Sequence, residues 1–388
     1  MEYKWPLSIP QFSTWDKLKL VHFLLSNDRW TQGEMVHKFE DEMAKYVGVK
    51  HAVFTSSGST ANTLLAMYLQ DKSVVKRDTI VFPSTTWITS VSPFVREGFA
   101  PYFIDINLSD FSMDLKALDD YLKKNHDRVA CVFVTSLIGF TPDVPRLKKI
   151  AEEYNVHIMM DNCENTLGRY YDRNVSSFFT STTSTYFGHQ IQSVEGGFVF
   201  TDNDNEHDYF LMARNHGMLR HLSEERIDAY RNHQVNAFFD FHMLGNNFRN
   251  TNINAFLGSC DLKRADEYLH SRRQLYHLFR AHLNYYLILP AEEDRCLHAP
   301  FCLPLVLRPR FRDKLPKLLA YCTMHSIEYR PIISGNLLKQ TCFKRVDSHR
   351  FINSEYLHQH GFYIGLHGTT QTKDVVGFCR DVDKIFLE

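Results

Sequence analysis

Three short stretches carry residue types that could do chemistry. In Ser56-Ser57-Gly58-Ser59-Thr60-Ala61-Asn62, small residues end an apolar run and open a helical one. Small side chains let the backbone approach an anion, and the free amides of a helix's first turn point at it. The stretch reads as a phosphate site or as an ordinary strand-to-helix turn capped by serine. It lacks the lysine of a nucleotide P-loop, so a phosphate on a smaller cofactor fits it better. Asp161 closes the apolar run "VHIMMD". A carboxylate there could hold a pyridinium nitrogen protonated, as pyridoxal phosphate requires, or it could cap a helix or join a surface ion pair. The third stretch, "STYFGHQIQSVEGGFVFTD", runs from Ser184 to Asp202 and offers the Ser184 hydroxyl to a phosphate. His189 follows five residues later, before the tight turn Glu195-Gly196-Gly197. With an unperturbed pKa of about 6.5, a histidine here is a general base at neutral pH or a hydrogen-bonded structural residue.

These residues need a scaffold that brings them together, and the hydrophobic pattern supplies one. "HAVFTSS" (51–57), "DTIVFPS" (78–84), "APYFIDI" (100–106), "RVACVFVTS" (128–136) and "VHIMMD" (156–161) read as strands rich in Val, Ile and Phe. Between them, "GSTANTLLAMYLQ", "DLKALDDYLKK" and "DVPRLKKIAEEYN" carry apolar residues at helical spacing, with Asp114 as a cap of the second. Repeated βα units predict a mainly parallel sheet covered by helices, with ligands beyond the carboxyl ends of the strands. After about residue 250 the pattern changes. Residues 252–287 read as one long helical stretch, followed by strands near "FCLPLVL" and the end of "HSIEYRPI". We expect an α/β fold with a large domain over 1–250 and a smaller α+β domain over 251–388. Residues 220–243 follow no recognisable pattern.

The bulk composition excludes several classes. With 44% apolar and 23% charged residues in 388, disorder is a poor reading. Forty-four lysines and arginines balance 45 acidic residues, which argues against a broad nucleic-acid face. Eight scattered cysteines show no C-x-x-C pair and no metal-type spacing. No signal-like or membrane-spanning run is visible, so the reading is a cytoplasmic protein with free thiols and no bound metal.

The motifs, in order, resemble the DegT/StrS family of sugar aminotransferases and dehydratases, a branch of the fold-type I (aspartate aminotransferase-like) pyridoxal phosphate enzymes. The resemblance spans nearly the whole chain: "WTQGEMVHKFEDEMAKYVGVKHAVFTSSGSTAN", "VFPSTTW", "MMDNCENTLG", the His189 stretch, "ARNHGM", "LGNNFRNTNINAFLG" and "YRPIISGN". It implies that Gly58, Ser59 and Thr60 hold the phosphate of pyridoxal or pyridoxamine 5'-phosphate with Ser184. Trp87 stacks on the ring, and Asp161 pairs with its nitrogen. Glu164 stands where aminotransferases of this family have glutamine, near the phenolic oxygen. Asn247 reaches the phosphate of a neighbouring subunit, which implies a homodimer with shared sites. His189 stands in the place of the family's cofactor-binding lysine.

An imidazole cannot form the stable imine that a lysine amine makes, but it retains proton transfer. That combination resembles the family's 3-dehydratase subgroup. It implies 3-dehydration of a nucleotide-linked 4-keto-6-deoxyhexose, GDP-4-keto-6-deoxy-D-mannose being the substrate suggested, with L-glutamate regenerating the pyridoxamine form. Ammonia would be released. The dispersed cysteines favour a route without an iron-sulfur cluster. His216 and Arg220 could line the sugar or nucleotide pocket, although His216 could equally be structural. Arg249 could meet a substrate phosphate or make an ion pair, and Ser334, Gly335 and Asn336 could contact substrate or form a plain loop. The alternatives are an aminotransferase making a 4-amino sugar and a non-catalytic sugar-nucleotide-binding relative.

Overall fold

The computed structural model describes residues 3–72, 77–231, 235–236, 239–292, 295–343, 348, 350–368 and 370–388. Seven strands form the main sheet: β1 (His51–Thr55), β2 (Thr79–Pro83), β3 (Ala100–Ile104), β4 (Val129–Thr135), β5 (His157–Asp161), β6 (Thr180–Ser184) and β7 (Gly197–Thr201). Their order is β1-β7-β6-β5-β4-β2-β3. The pairs β2/β3, β2/β4, β4/β5 and β5/β6 are parallel, and β7 runs antiparallel to both β6 and β1. The sheet is therefore mainly parallel, as the βα pattern predicts, with one reversed strand.

Strand side chains alternate between faces. Phe82, Phe133 and Met159 enter one core, while Val81, Val132, Val134, Ile158 and Met160 enter the core on the opposite face. The covering helices follow from their apolar spacing and caps. In α1 (Glu34–Val47), Val36, Phe39, Met43 and Val47 are buried on one face, and Gly48 ends the helix in the left-handed conformation. In α2 (Leu115–Asn125) and α3 (Val144–Tyr154), Asp114 and Asp143 each accept first-turn amides.

The helical stretch expected over 252–287 is two helices, α4 (Asn252–Leu262) and α5 (Ala265–Leu283), broken at Lys263 and Arg264. Two different surfaces impose the break. The α4 helix packs on α1, whereas α5 packs on the terminal helix α6 (Thr372–Leu387). Arg264, at the corner, bonds Asp16 and Asp261 at 2.8 Å each. Beyond it, β8 (Cys302–Val306), β9 (Tyr329–Pro331) and β10 (Gly361–Gly365) make a small antiparallel sheet over its own apolar core. An amino-terminal strap joins this sheet: the Trp5 indole donates to Gly365 O (3.0 Å), and Leu7 N donates to Glu328 Oε2 (3.0 Å). Among the described residues no helix is long and apolar enough to cross a membrane.

Candidate active site

Because β1, β4, β5 and β6 all point the same way, their carboxyl ends meet on one edge of the sheet. A cavity of about 760 Å³ opens there, lined by Gly58, Ser59, Trp87, Asp161, Glu164, Ser184 and His189 among others. These residues, from four separated stretches of the sequence, thus converge.

The turn after β1 leads into a helix that begins at Gly58. Thr60 does not line the cavity; its hydroxyl accepts the Ser57 amide (3.0 Å) and donates to Ser57 O (2.9 Å), which fixes the turn. Two glycines make the approach possible. A Cβ on Gly58 would lie 2.8 Å from Cys163 Sγ, and one on Gly197 would lie 2.4 Å from the Gly58 amide nitrogen. The helix's first turn is therefore exposed to the cavity by the absence of side chains, which suits an anion.

Asp161 is 4% exposed, and its carboxylate is fully engaged. Oδ2 accepts from Asn62 Nδ2 (2.9 Å) and Ser90 Oγ (2.7 Å), and Oδ1 accepts from the Cys163 amide (3.0 Å). Asn62 is oriented in turn by Thr182, whose hydroxyl donates to Asn62 Oδ1 at 2.6 Å. The carboxylate is thereby aimed at the cavity and not left to choose a surface partner. Trp87 keeps 53% of its surface exposed at the cavity mouth, free to cover a planar group.

His189 sits in a knotted loop in which Thr185 N bonds Gly196 O, Phe187 N bonds Val194 O and His189 N bonds Tyr186 O (2.8–3.0 Å). The loop is tight enough to force Val194 to a φ of 72°. His189 Nδ1 is shielded from solvent and has no hydrogen-bond partner within the protein. Burial pushes its pKa down to about 4, with the Cys163 backbone and Asp161 opposing. The imidazole is neutral and able to accept a proton. Glu164 moves the other way: burial pushes its pKa up to about 8, against one hydrogen bond from the Ile138 amide (2.6 Å). Its carboxyl is protonated at neutral pH and can donate. Ile138 pays for that placement with a φ of 45°.

Among the described residues no lysine lines this cavity and Arg330 is its one arginine, paired with Glu328 at 2.8 Å. Arg330, Tyr363 and Phe301 come from the small sheet and its approach; Asn62 and Ser90 support Asp161. Sequence reasoning named none of these as site residues. It did quote "YRPIISGN", singling out Ser334, Gly335 and Asn336 within it. Ser334 donates to Thr86 O (2.6 Å), Gly335 takes a φ of 60°, and Asn336 is fully buried. The Asn336 side chain accepts Leu338 N and donates to Ser348 O and Glu355. These three residues hold the loop and do not line the cavity.

His216 is a turn residue, at a φ of 64° with its amide on Asn246 O (2.8 Å). Arg220 and Arg249 lie together in a different cavity, and Asn247 accepts from Arg249 Nε (3.0 Å) beside it.

A family model, that of the DegT/DnrJ/EryC1/StrS aminotransferase family, matches residues 13–382. The chain belongs to this family. As a DegT/DnrJ/EryC1/StrS member it is 28% identical over 375 residues to the GDP-4-keto-6-deoxy-D-mannose 3-dehydratase of Yersinia pseudotuberculosis, covering 92% of this chain and 93% of that one. It is 23% identical over 336 residues to the GDP-perosamine synthase of Vibrio cholerae, covering 83% and 86%. The solved Escherichia coli GDP-4-keto-6-deoxy-D-mannose-3-dehydratase with bound hydrated PLP superposes with a TM-score of 0.88 at 24% identity, over 98% of this chain and 99% of that one. That likeness gives this family member the aminotransferase-like fold.

Proposed function

We propose that the protein uses pyridoxal and pyridoxamine 5'-phosphate to remove the C3 hydroxyl of a nucleotide-linked 4-keto-6-deoxyhexose, with GDP-4-keto-6-deoxy-D-mannose as the substrate. The observation that carries this reading is that no lysine lines the cavity among the described residues, while a neutral imidazole with its Nδ1 unpartnered stands there. The residues fit the cofactor. Gly58 and Ser59 offer the helix turn to its phosphate, Ser184 adds a hydroxyl, Trp87 covers a ring face, and Asp161 is held ready for a ring nitrogen.

The pyridoxamine form, when bound, would supply a nucleophilic amine and an electron-accepting ring. His189 removes the proton whose loss drives the C3 hydroxyl out, and Asp161 keeps the ring nitrogen protonated. Glu164, carrying its own proton, donates toward the phenolic oxygen and avoids placing a second negative charge there. L-Glutamate restores the amine. Glutamate and ketosugar therefore yield 2-oxoglutarate, ammonia and a 4-keto-3,6-dideoxy sugar, the amino acid supplying the two electrons that the deoxygenation consumes.

Asn247 is not among the residues that line this cavity, which fits a homodimer in which it reaches a second copy's cofactor phosphate. The amino-terminal helix Thr14–Ser26 exposes Trp15, Leu18, Val21 and Leu25 at helical spacing, an apolar stripe suited to that contact. We retain 1–250 and 251–388 as the two domains and the cytoplasm as the location.

The test incubates the protein with GDP-, CDP-, UDP- and dTDP-linked 4-keto-6-deoxy sugars and glutamate. The reading requires ammonia and a ketosugar lighter by one oxygen atom, fastest with the GDP sugar. An amino sugar without ammonia would instead establish aminotransfer, the activity named for the Vibrio relative. Cofactor absorbance that ignored glutamate would leave only a binding protein.

A further inference from the structure

Arg272, midway along α5, is a buried cation without a counter-ion. It is 6% exposed, and among the described residues no carboxylate pairs with it. Its neighbour Arg273 bonds Glu292 at 2.7 Å, and Asp261 is taken by Arg264 at 2.8 Å. Burial pulls the Arg272 pKa down to about 10, so the guanidinium is still charged at neutral pH. A charge taken out of water with no ion to face it destabilises the fold unless hydrogen bonds offset the loss. Here the bonds go to backbone: Nη1 donates to Pro300 O (3.2 Å) and to Phe301 O (3.1 Å).

Those two carbonyls belong to the stretch that walls the catalytic cavity beside His189. Phe301 lines the cavity, and its ring centroid lies 5.3 Å from that of His189; Tyr186 makes the other aromatic contact, at 6.2 Å. Gln190, next to His189 and fully buried, donates through Nε2 to Ala299 O and accepts the Leu167 amide (3.0 Å). The stretch is pinned along its backbone as well, since Ala299 N donates to Gly139 O (3.0 Å) and Phe301 N to Ile138 O (2.9 Å). Three consecutive carbonyls are thus held by side chains from two other elements, and Arg272 holds two of the three.

His189 needs such support. Its Nδ1 has no hydrogen-bond partner within the protein, so no carboxylate fixes the ring from that side, as the aspartate does in a serine-histidine-aspartate triad. Packing must set the direction of the ring, and Phe301 supplies one of its two aromatic contacts. A misplacement of about 1 Å can lower a rate by about 10²-fold.

We infer that Arg272 is a positioning residue for proton transfer: its guanidinium fixes the wall at 299–301, and the wall holds the His189 ring in the cavity. This rests on the proposed function, in which His189 is the base. The experiment follows, by cofactor absorbance, the single-turnover conversion of the full-length, pyridoxal phosphate-loaded protein to its pyridoxamine form by L-glutamate. Arg272→Met should lower the maximal rate by roughly tenfold to a hundredfold. The glutamate concentration at half-saturation should stay within about twofold of the parent's, because Arg272 does not line the cavity. Arg272→Lys, whose single ammonium can still bridge two carbonyls, should recover most of the loss. In a His189→Asn background, Arg272→Met should cost no more than about a further twofold, since the group it positions is gone.

Circular dichroism reports folding. Should Arg272→Met collapse, Phe301→Leu replaces it in the same cycle: it leaves the guanidinium its carbonyls and removes the ring from His189. Equal losses in the parent and His189→Asn backgrounds would overturn the assignment. So would a folded Arg272→Met that runs at the parent's rate, or a loss confined to glutamate affinity. A parent whose absorbance does not answer glutamate sinks the proposed function itself, before any variant is compared.

Discussion

The position of His189 makes its acidity the sharpest quantity to measure. An exposed histidine, with a pKa of about 6.5, would be only about 9% neutral at pH 5.5. With burial holding the pKa at about 4, His189 remains roughly 97% neutral at that pH. The two cases differ about tenfold in the fraction able to accept a proton. The assay is the single-turnover reaction of the pyridoxal form with L-glutamate, followed by stopped-flow absorbance from pH 4.5 to 8. Glutamate's own amine contributes a constant slope across this range, so the histidine is seen as a change of slope. We expect none between pH 5 and 7. His189→Asn should lower the rate by about 10²- to 10⁴-fold throughout, the usual contribution of a positioned base. A change of slope near 6.5 in the parent that vanished in His189→Asn would refute the argument, because it would show a solvated working imidazole.

Two further outcomes follow from the site. Glu164 binds its proton more tightly folded than unfolded, so between pH 4.5 and about 8 the folded state holds more protons and stability falls as pH rises. The displacement from 4.5 to about 8 corresponds to at most about 5 kcal/mol, less whatever the cavity's water screens. Glu164→Gln should therefore unfold at higher denaturant than the parent at pH 8.5 and no higher at pH 4; equal gains at both would disprove the protonated carboxyl. If Asn247 serves a second copy's site, refolding a mixture of His189→Asn and Asn247→Ala chains should restore about a quarter of the parent's activity, since half the dimers are mixed and one of their two sites is intact. Recovery of nothing beyond the separate variants would place both residues in one chain's site.

Much of this was legible in the sequence, for local reasons. The strand that ends at Asp161 announced itself by a continuous apolar run, whereas the one that ends at Ser184 is Thr-Ser-Thr-Thr-Ser and carries no such signal; the Gly58 and Gly197 turns showed as residues that leave room for backbone contact. What was hidden depends on tertiary placement. Asn62 and Ser90 bond Asp161 across 99 and 71 positions of sequence; Asn62 lies in the stretch read as a phosphate turn, but nothing there points to Asp161 as its partner, and nothing marks Ser90. The break at Arg264 escaped notice because helical periodicity continues through it; only the divergence of the two packing surfaces reveals it. "YRPIISGN" shows the same limit. Its polar residues drew attention, yet Asn336 is consumed by its own loop while Arg330 faces the cavity.

The reversed strand β7 also imposes an order of assembly. In the sheet β1 pairs with β7 alone, and His51 meets Thr201, 201 − 51 = 150 positions later. At about 5–20 residues per second, a ribosome needs roughly 8–30 s to make that stretch. Until then the edge of β1 has no strand beside it, and Ala52 and Phe54 must be shielded by what has already emerged. The available shield is α1, which packs on β1 and whose Glu40 accepts the Phe54 amide at 2.8 Å. The α1–β1 unit is thus a waiting piece during translation. The turn at Gly58 and the loop of His189 come together only when β7 closes the gap.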